Sequence, residues 1–303
     1  MSERVIRMGT RRSALAMAQS STVARALEAA HPGLVVELVP VVTAGDRTPG
    51  DLAKLGGKGL FTAELEAGLL AGSLDLAVHS LKDLPVRSAD GLVIAAYPQR
   101  ADPRDALVSE VATTVAGLPR GGEVLTGSLR RSAQLLALRP DLLVQPLRGN
   151  VETRVRKWRQ SGAAATVLAA AGLARLGLDD VPAHPLAAEE MLPAPGQGIL
   201  ALQVRGGSAA EAFCRALDHA PTATAAAAER AVVSAFGGDC TLPLAAWARM
   251  VDERLVLTAL LAAADGSELV RAEARGIDAD EVAGRCVDRL RAQGAERVLA
   301  ART

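Results

Sequence analysis

The chain has 303 residues, half of them hydrophobic, and its 34 Lys and Arg are balanced by 34 Asp and Glu. That length supports two or three domains with their own cores, and no apolar run approaches the ~18 residues of a membrane span. A formal charge of zero with 2% aromatic residues argues against a nucleic-acid partner, which calls for a basic excess and rings on which bases stack.

Three cysteines, Cys214, Cys240 and Cys286, form no C-x-x-C, and His31, His79, His184 and His219 lack ligand spacing, so neither a disulfide framework nor a metal site is expected. No apolar leader follows Met1-Ser2-Glu3-Arg4, which places the chain in the cytoplasm; a monomer is expected.

Val5 to Met8 reads as a strand, and Gly9-Thr10-Arg11-Arg12-Ser13 as the turn into a helix from about Ala14 to Ala30, with Ser13 as N-cap. Leu34 to Val42 is β-rich, and Pro40 within it points to an edge or a bulge. The loop Lys54-Leu55-Gly56-Gly57-Lys58-Gly59 is a flexible loop or an anion-binding lid. It is not a phosphate loop, because Leu52 and Gly59 stand where that motif needs glycine and a hydroxyl residue.

Phe61 to Ala71 reads as a helix. The run Leu74-Asp75-Leu76-Ala77-Val78 is a short buried strand presenting His79-Ser80-Leu81-Lys82-Asp83 at its end, where α/β proteins place their chemistry. By itself Asp83 reads as an exposed turn aspartate before Leu84-Pro85. Leu92 to Tyr97 is a strand, and the charged, proline-bearing stretch Pro98 to Asp105 suits a crossing between domains.

A second α/β unit follows, with strands at Glu123 to Thr126, Leu142 to Gln145 and Ala165 to Ala169, and helices from Leu129, over Val151 to Gln160 and over Leu173 to Leu178. This alternation predicts parallel sheet. Pro193 to Gly198 reads as a second crossing, after which strand Ile199 to Val204 and a helix through about Ala220 return to the first lobe. From Pro221 the pattern becomes α+β: a helix to Phe236, the turn Gly237-Gly238-Asp239-Cys240, three hairpin-like strands and a closing helix. The domains expected are 1–98 with 199–217, 103–195, and 221–303.

Arg11-Arg12-Ser13-Ala14 recurs as Arg130-Arg131-Ser132-Ala133, each time between a strand and a helix start. Free N–H groups and the positive dipole end of a helix favour carboxylate or phosphate at both places.

A set of motifs in this order carries a resemblance: Thr10-Arg11-Arg12-Ser13, Leu55 to Phe61, Ala77 to Asp83, Asp102 to Asp105, Ser128 to Arg131, Leu147 to Val151, Ala171 to Gly177, Pro195 to Gly198 and Cys240 to Pro243. The chain resembles the porphobilinogen deaminase (hydroxymethylbilane synthase) family from near Val5 to near its C-terminus. The resemblance implies two periplasmic-binding-protein-like α/β lobes joined by two crossings and a smaller C-terminal α+β domain with a three-stranded antiparallel sheet. It also implies the family's reaction, in which four porphobilinogen molecules are joined head to tail with loss of ammonia on a covalent dipyrromethane primer.

The cysteine matching the primer's thioether attachment is Cys240; Cys214 and Cys286, in expected helices, read as small buried hydrophobes. Each pyrrole brings an acetate and a propionate, and burying such anions unpaired is prohibitive, whereas an arginine fork binds them bidentately. The resemblance therefore implies cofactor contacts at Lys82, Ser80, Ser128, Arg130, Arg131 and Gly172, and substrate contacts at Arg11, Ser13, Gln19, Lys54, Lys58, Arg148, Arg154 and Arg175. Asp83 takes the catalytic role, stabilising the pyrrole N–H cation and managing proton transfer. Arg12, Arg156 and Arg159 read as solvated.

Gly127 and Asp239 depart from the common family pattern, the first removing a hydroxyl and the second adding an acid beside Cys240. The two crossings are candidate hinges. The alternative reading is a two-lobed reversible anion binder, which needs neither Cys240 nor Asp83.

Overall fold

The structure, a computed structural model, describes residues 4–43, 62–237 and 242–300. In chain order the first elements are β1 (Arg4–Arg11), α1 (Ala14–Ala30), β2 (Leu34–Val41), α2 (Ala63–Leu70), β3 (Leu76–Ser80) and β4 (Leu92–Ala96). Next come β5 (Asp105–Val108), β6 (Glu123–Leu125), α3 (Leu129–Leu138), β7 (Leu143–Gln145), α4 (Val151–Ser161), β8 (Ala165–Ala169), α5 (Ala170–Arg175) and β9 (Ala183–Pro185). The remainder is β10 (Leu200–Arg205), α6 (Ala209–Cys214), α7 (Ala220–Ala235), β11 (Leu244–Val251), β12 (Arg254–Ala262), β13 (Leu269–Gly276), α8 (Ala279–Ala292) and α9 (Ala295–Ala300). No helix among the described residues is long and apolar enough to cross a membrane.

The chain divides into two compact units, residues 1–100 with 199–223 and residues 101–198 with 224–303. The first holds a sheet of order β2-β1-β3-β10-β4, and the second a sheet of order β7-β6-β8-β5-β9 together with the hairpin sheet β11-β12-β13. In each five-stranded sheet three neighbouring strands are parallel, and one strand, β10 or β5, runs antiparallel to both its neighbours.

The expected parallel sheets are therefore mixed, and the reason is connectivity. β5 follows the first crossing and β10 the second, so each enters its sheet from the opposite direction to strands fed by a local helix. Both are almost wholly buried, as strands covered on both faces must be. The four-residue β5 starts on the last residue of the charged stretch read as a crossing, and its opening Asp105 hides the apolar run behind it.

Local signals explain the helix ends. Ser13 Oγ accepts from Ala16 N and Asn150 Oδ1 from Thr153 N, capping α1 and α4. Gly162 closes α4 at φ 73°, a left-handed position that favours glycine. At the crossings, Ala101 N donates to Gly198 O, and a Cβ on Gly198 would lie 2.5 Å from Ala101 O. Only glycine lets the two segments run this close.

Each unit has its own apolar centre. Met8, Leu27, Leu76 and Leu202 pack together in the first, and Leu107, Val124, Leu135 and Val167 in the sheet of the second. β12 is buried on both faces: Leu255, Leu257 and Leu261 meet α8, while Leu260 and Ala262 meet Ala133 of α3 and Leu192. Each fully buried leucine contributes about 1.5–3 kcal/mol, so the hairpin domain is firmly seated on α3. A Cβ on Gly266, in the β12–β13 turn, would approach Ala133 O to 2.7 Å, which marks how closely that turn meets the helix.

Candidate functional site

In both units the polar groups of interest gather at the C-terminal ends of parallel strands, the place where open α/β sheets bind ligands. In the first unit β3 runs into a single 3₁₀ turn, Leu81–Asp83. Buried Leu81 and Leu84 anchor it on either side, Leu81 N donates to Ile199 O, and Leu84 N to Leu81 O. The Asp83 carboxylate is exposed on this fixed turn, with Lys82 beside it half-buried.

Ser80 is held from α1, where buried Gln19 donates through Nε2 to Ser80 Oγ at 3.0 Å. Arg11 closes β1, half-buried, and Ser13 spends its hydroxyl on the α1 cap. His79 is buried and bonded at 3.0 Å through Nε2 to Gln203 Oε1, while Gln203 Nε2 donates to Glu66 at 2.9 Å. The Glu66 carboxylate fixes which end of Gln203 faces the imidazole, so His79 carries its proton on Nε2. Burial pushes the His79 pKa down to about 4, with the charge of Arg11 adding to the shift and the Gln203 bond opposing it.

In the second unit Ser128 caps α3, its Oγ accepting from Arg131 N. Arg130 and Arg131 lie in the first helical turn, each 5% exposed. Asp105 Oδ2 accepts from Arg130 Nη1 at 2.7 Å, and Oδ1 accepts from Arg131 Nη2 at 2.6 Å. Opposed by burial, the two guanidiniums still hold the Asp105 carboxyl well below the usual carboxylate range.

Arg148 is exposed in the loop after β7, and Arg154 is half-buried one turn into α4. Gly172 is buried in α5. Arg175 ends that helix with Nη2 donating to Gly198 O at 2.8 Å, and burial alone lowers its pKa. Gly127 is required by close approach, since a Cβ there would lie 2.6 Å from Leu147 O. Cys240, Lys54, Lys58 and Asp239 lie outside the described residues.

The Arg-Arg-Ser-Ala recurrence needs correction. In the first unit its serine is the helix cap; in the second the cap is Ser128, ahead of the motif, so both arginines sit inside the helix. Sequence reasoning assigned no role to Asp105, Gln134 or Gln197, which organise the second cluster. Asp105 and Gln197 were visible as parts of Asp102-Pro103-Arg104-Asp105 and Pro195-Gly196-Gln197-Gly198, but nothing in those motifs says that they meet.

The donor set suits a ligand rich in carboxylates. Arg175 is a desolvated guanidinium bonded to a neutral carbonyl, and the cluster at Asp105 sets two cations against one anion. In class this is an α/β protein arranged for anionic small molecules. Residues 6–212 match the family described as porphobilinogen deaminase, dipyromethane cofactor binding domain, and residues 223–292 match the porphobilinogen deaminase C-terminal domain. A porphobilinogen deaminase from Syntrophotalea carbinolica is 46% identical over 305 aligned residues, covering 99% of this chain and 97% of that protein.

Among solved structures, immunogenic lipoprotein A from Vibrio vulnificus aligns at 15% identity and TM-score 0.43, over 73% of this chain and 98% of its own. The periplasmic aliphatic sulphonate binding protein from Escherichia coli aligns at 16% and 0.39, over 78% and 71%.

The chain belongs to the porphobilinogen deaminase family. It is a transferase that condenses four porphobilinogen molecules with loss of ammonia on a dipyrromethane cofactor, giving hydroxymethylbilane for heme and other tetrapyrroles.

Proposed function

We propose that Asp83 performs the proton and charge handling of every condensation, and that the cationic groups at the strand ends hold the carboxylates of the growing chain. The observation that carries this reading is the exposed Asp83 carboxylate on a turn pinned by buried Leu81 and Leu84 at the end of β3. Asp83 in its acid form passes a proton to the departing amine; the carboxylate left behind stabilises the positive charge that develops on the pyrrole N–H and takes back the proton released at the new carbon–carbon bond, which restores the acid.

When bound, dipyrromethane supplies the nucleophilic pyrrole carbon from which the chain grows, through a thioether to Cys240. Lys82, Ser80, Ser128, Arg130, Arg131 and Gly172 hold it, and Arg11, Ser13, Gln19, Lys54, Lys58, Arg148, Arg154 and Arg175 receive substrate. The clearest support among these is Arg175, whose partly desolvated charge meets only the Gly198 carbonyl among the described residues. The protein works as a cytoplasmic monomer without nucleic acid, in three domains of residues 1–98 with 199–217, 103–195 and 221–303. The crossings near Pro98 to Pro103 and Pro193 to Gly198 act as hinges between elongation steps.

Asp83→Asn should fold normally and lose ~10²–10⁴ in kcat; near wild-type turnover removes the assignment. For attachment, the intact mass of the denatured chain should exceed the sequence mass by two linked pyrrole units and return to it in Cys240→Ala. A bare parent mass that stays bare after incubation with porphobilinogen defeats the Cys240 assignment.

A further inference from the structure

Asp105 opens β5, is completely buried, and has no part in the steps above. It collects four donors: Arg130 Nη1 on Oδ2, and Arg131 Nη2, Arg131 Nε and Gln197 Nε2 on Oδ1, at 2.6–3.0 Å. Two cations share this one carboxylate, so the buried cluster retains a net positive charge. An ion pair kept for stability alone gains nothing from a second buried cation, because desolvating it is expensive. Arg130 engages Asp105 and Leu192 O through Nη1, and its Nε and Nη2 have no partner among the described residues. One edge of its fork is anchored and the other is open.

The anchoring extends to the crossings. Gln197 Nε2 also donates to Pro103 O at 2.8 Å, so a single amide joins the second crossing, the first crossing and Asp105. Gln134 brackets Leu192 from the other side, donating to its carbonyl and accepting from its amide.

We infer that Asp105 is a positioning residue for the condensation: it aligns the forks of Arg130 and Arg131, and Gln197 orients Asp105, so that a ligand carboxylate meets both arginines in one geometry. This rests on the reading of Arg130 and Arg131 as carboxylate-binding groups. Long cationic side chains lose much rotamer freedom on binding, and an arginine already fixed by Asp105 has lost it beforehand. The placement of Gln197 makes that alignment depend on the packing of the crossings.

The test compares Gln197→Met, Asp105→Asn, Arg130→Met and Arg131→Met by thermal unfolding, intact mass and steady-state kinetics with porphobilinogen. Gln197→Met changes no charge and preserves side-chain length. It should fold, carry a smaller share of chains with the two-pyrrole mass excess, and lose up to about 100-fold in kcat, as a misplacement of order 1 Å entails, with KM nearly unchanged. Asp105→Asn, where it folds, should lose more of both; where it does not, Gln197→Met decides.

A lowered melting temperature with wild-type mass excess and kcat in Gln197→Met overturns the inference and leaves the cluster a structural one. If Arg130→Met and Arg131→Met lose the mass excess while Gln197→Met and a folded Asp105→Asn keep it, only positioning is overturned. If both arginine variants keep full loading and kcat, the reading beneath it falls as well.

Discussion

The stretches Arg11-Arg12-Ser13-Ala14 and Arg130-Arg131-Ser132-Ala133 are identical in sequence and opposite in environment. In the first, β1 runs through Arg11, Ser13 caps α1, and the nearby polar groups are supported by neutral side chains: Gln19 on Ser80, and Gln203 on His79. In the second, Ser128 starts the helix ahead of the motif and turns both arginines inward onto Asp105. A displacement of the helix start relative to the motif converts a half-exposed arginine into a buried ionic cluster. A repeated tetrapeptide thus carries donors, whereas the position of its cap decides whether water or protein surrounds them.

Breaking the ionic side should have the largest effect on stability. Asp105→Ala strands two buried guanidiniums and should lower unfolding free energy by about 3–5 kcal/mol, measured by urea denaturation. Gln203→Leu, its counterpart on the neutral side, should cost about 1–3 kcal/mol by leaving His79 Nε2–H without an acceptor. Equal losses would mean that the two supports do not differ as described.

Acid separates the regions next. His79 has its folded pKa depressed from 6.5 to about 4, so only the unfolded chain takes up a proton between those values. Stability is therefore full above pH 6.5 and falls as pH drops towards 4, by up to about 3 kcal/mol. The depressed pKa of Asp105 gives a contribution present above the ordinary carboxylate range and lost only as pH falls below it. Hydrogen exchange of β3 amides should thus accelerate between pH 6.5 and 4 before that of β5 amides, after correction for intrinsic rates. His79→Gln should remove the difference; a pH-independent β3 would count against a neutral buried imidazole.

The smallest effects sharpen the contrast at the caps. Ser13→Ala and Ser128→Ala should each cost about 1 kcal/mol in thermal unfolding. Activity should fall more in Ser128→Ala, because that cap also sets where Arg130 and Arg131 point. Matching activity losses would show that the position of the helix start does not matter to turnover.

Much was legible from the chain itself. The Ser13 cap, the late strand after Pro193 to Gly198 and the three hairpin strands all follow from local pattern and appear where expected, while the strand expected over Leu74 to Val78 runs two residues later, Leu76–Ser80, and takes in His79. β5 and β9 did not show, because β5 opens on a charged residue at the end of the stretch read as a crossing and β9, Ala183–Pro185, holds no fully buried apolar residue to mark it. Expected parallel pairing failed at β5 and β10 because strand direction depends on where a crossing re-enters the sheet. The helix start at Leu129 was read correctly, but the burial of its arginine pair was not, because Asp105 and Leu192, which receive Arg130, lie far away along the chain.

By itself the sequence determined the family, the alternation of strands and helices, and the residue types available to an anionic ligand, since these rest on order and periodicity along the chain. Only the tertiary structure decided that Asp105, Arg130, Arg131 and Gln197 form one buried unit and that His79 is neutral. Both depend on burial and on groups brought together from distant positions, and desolvation has no signature in a linear spacing.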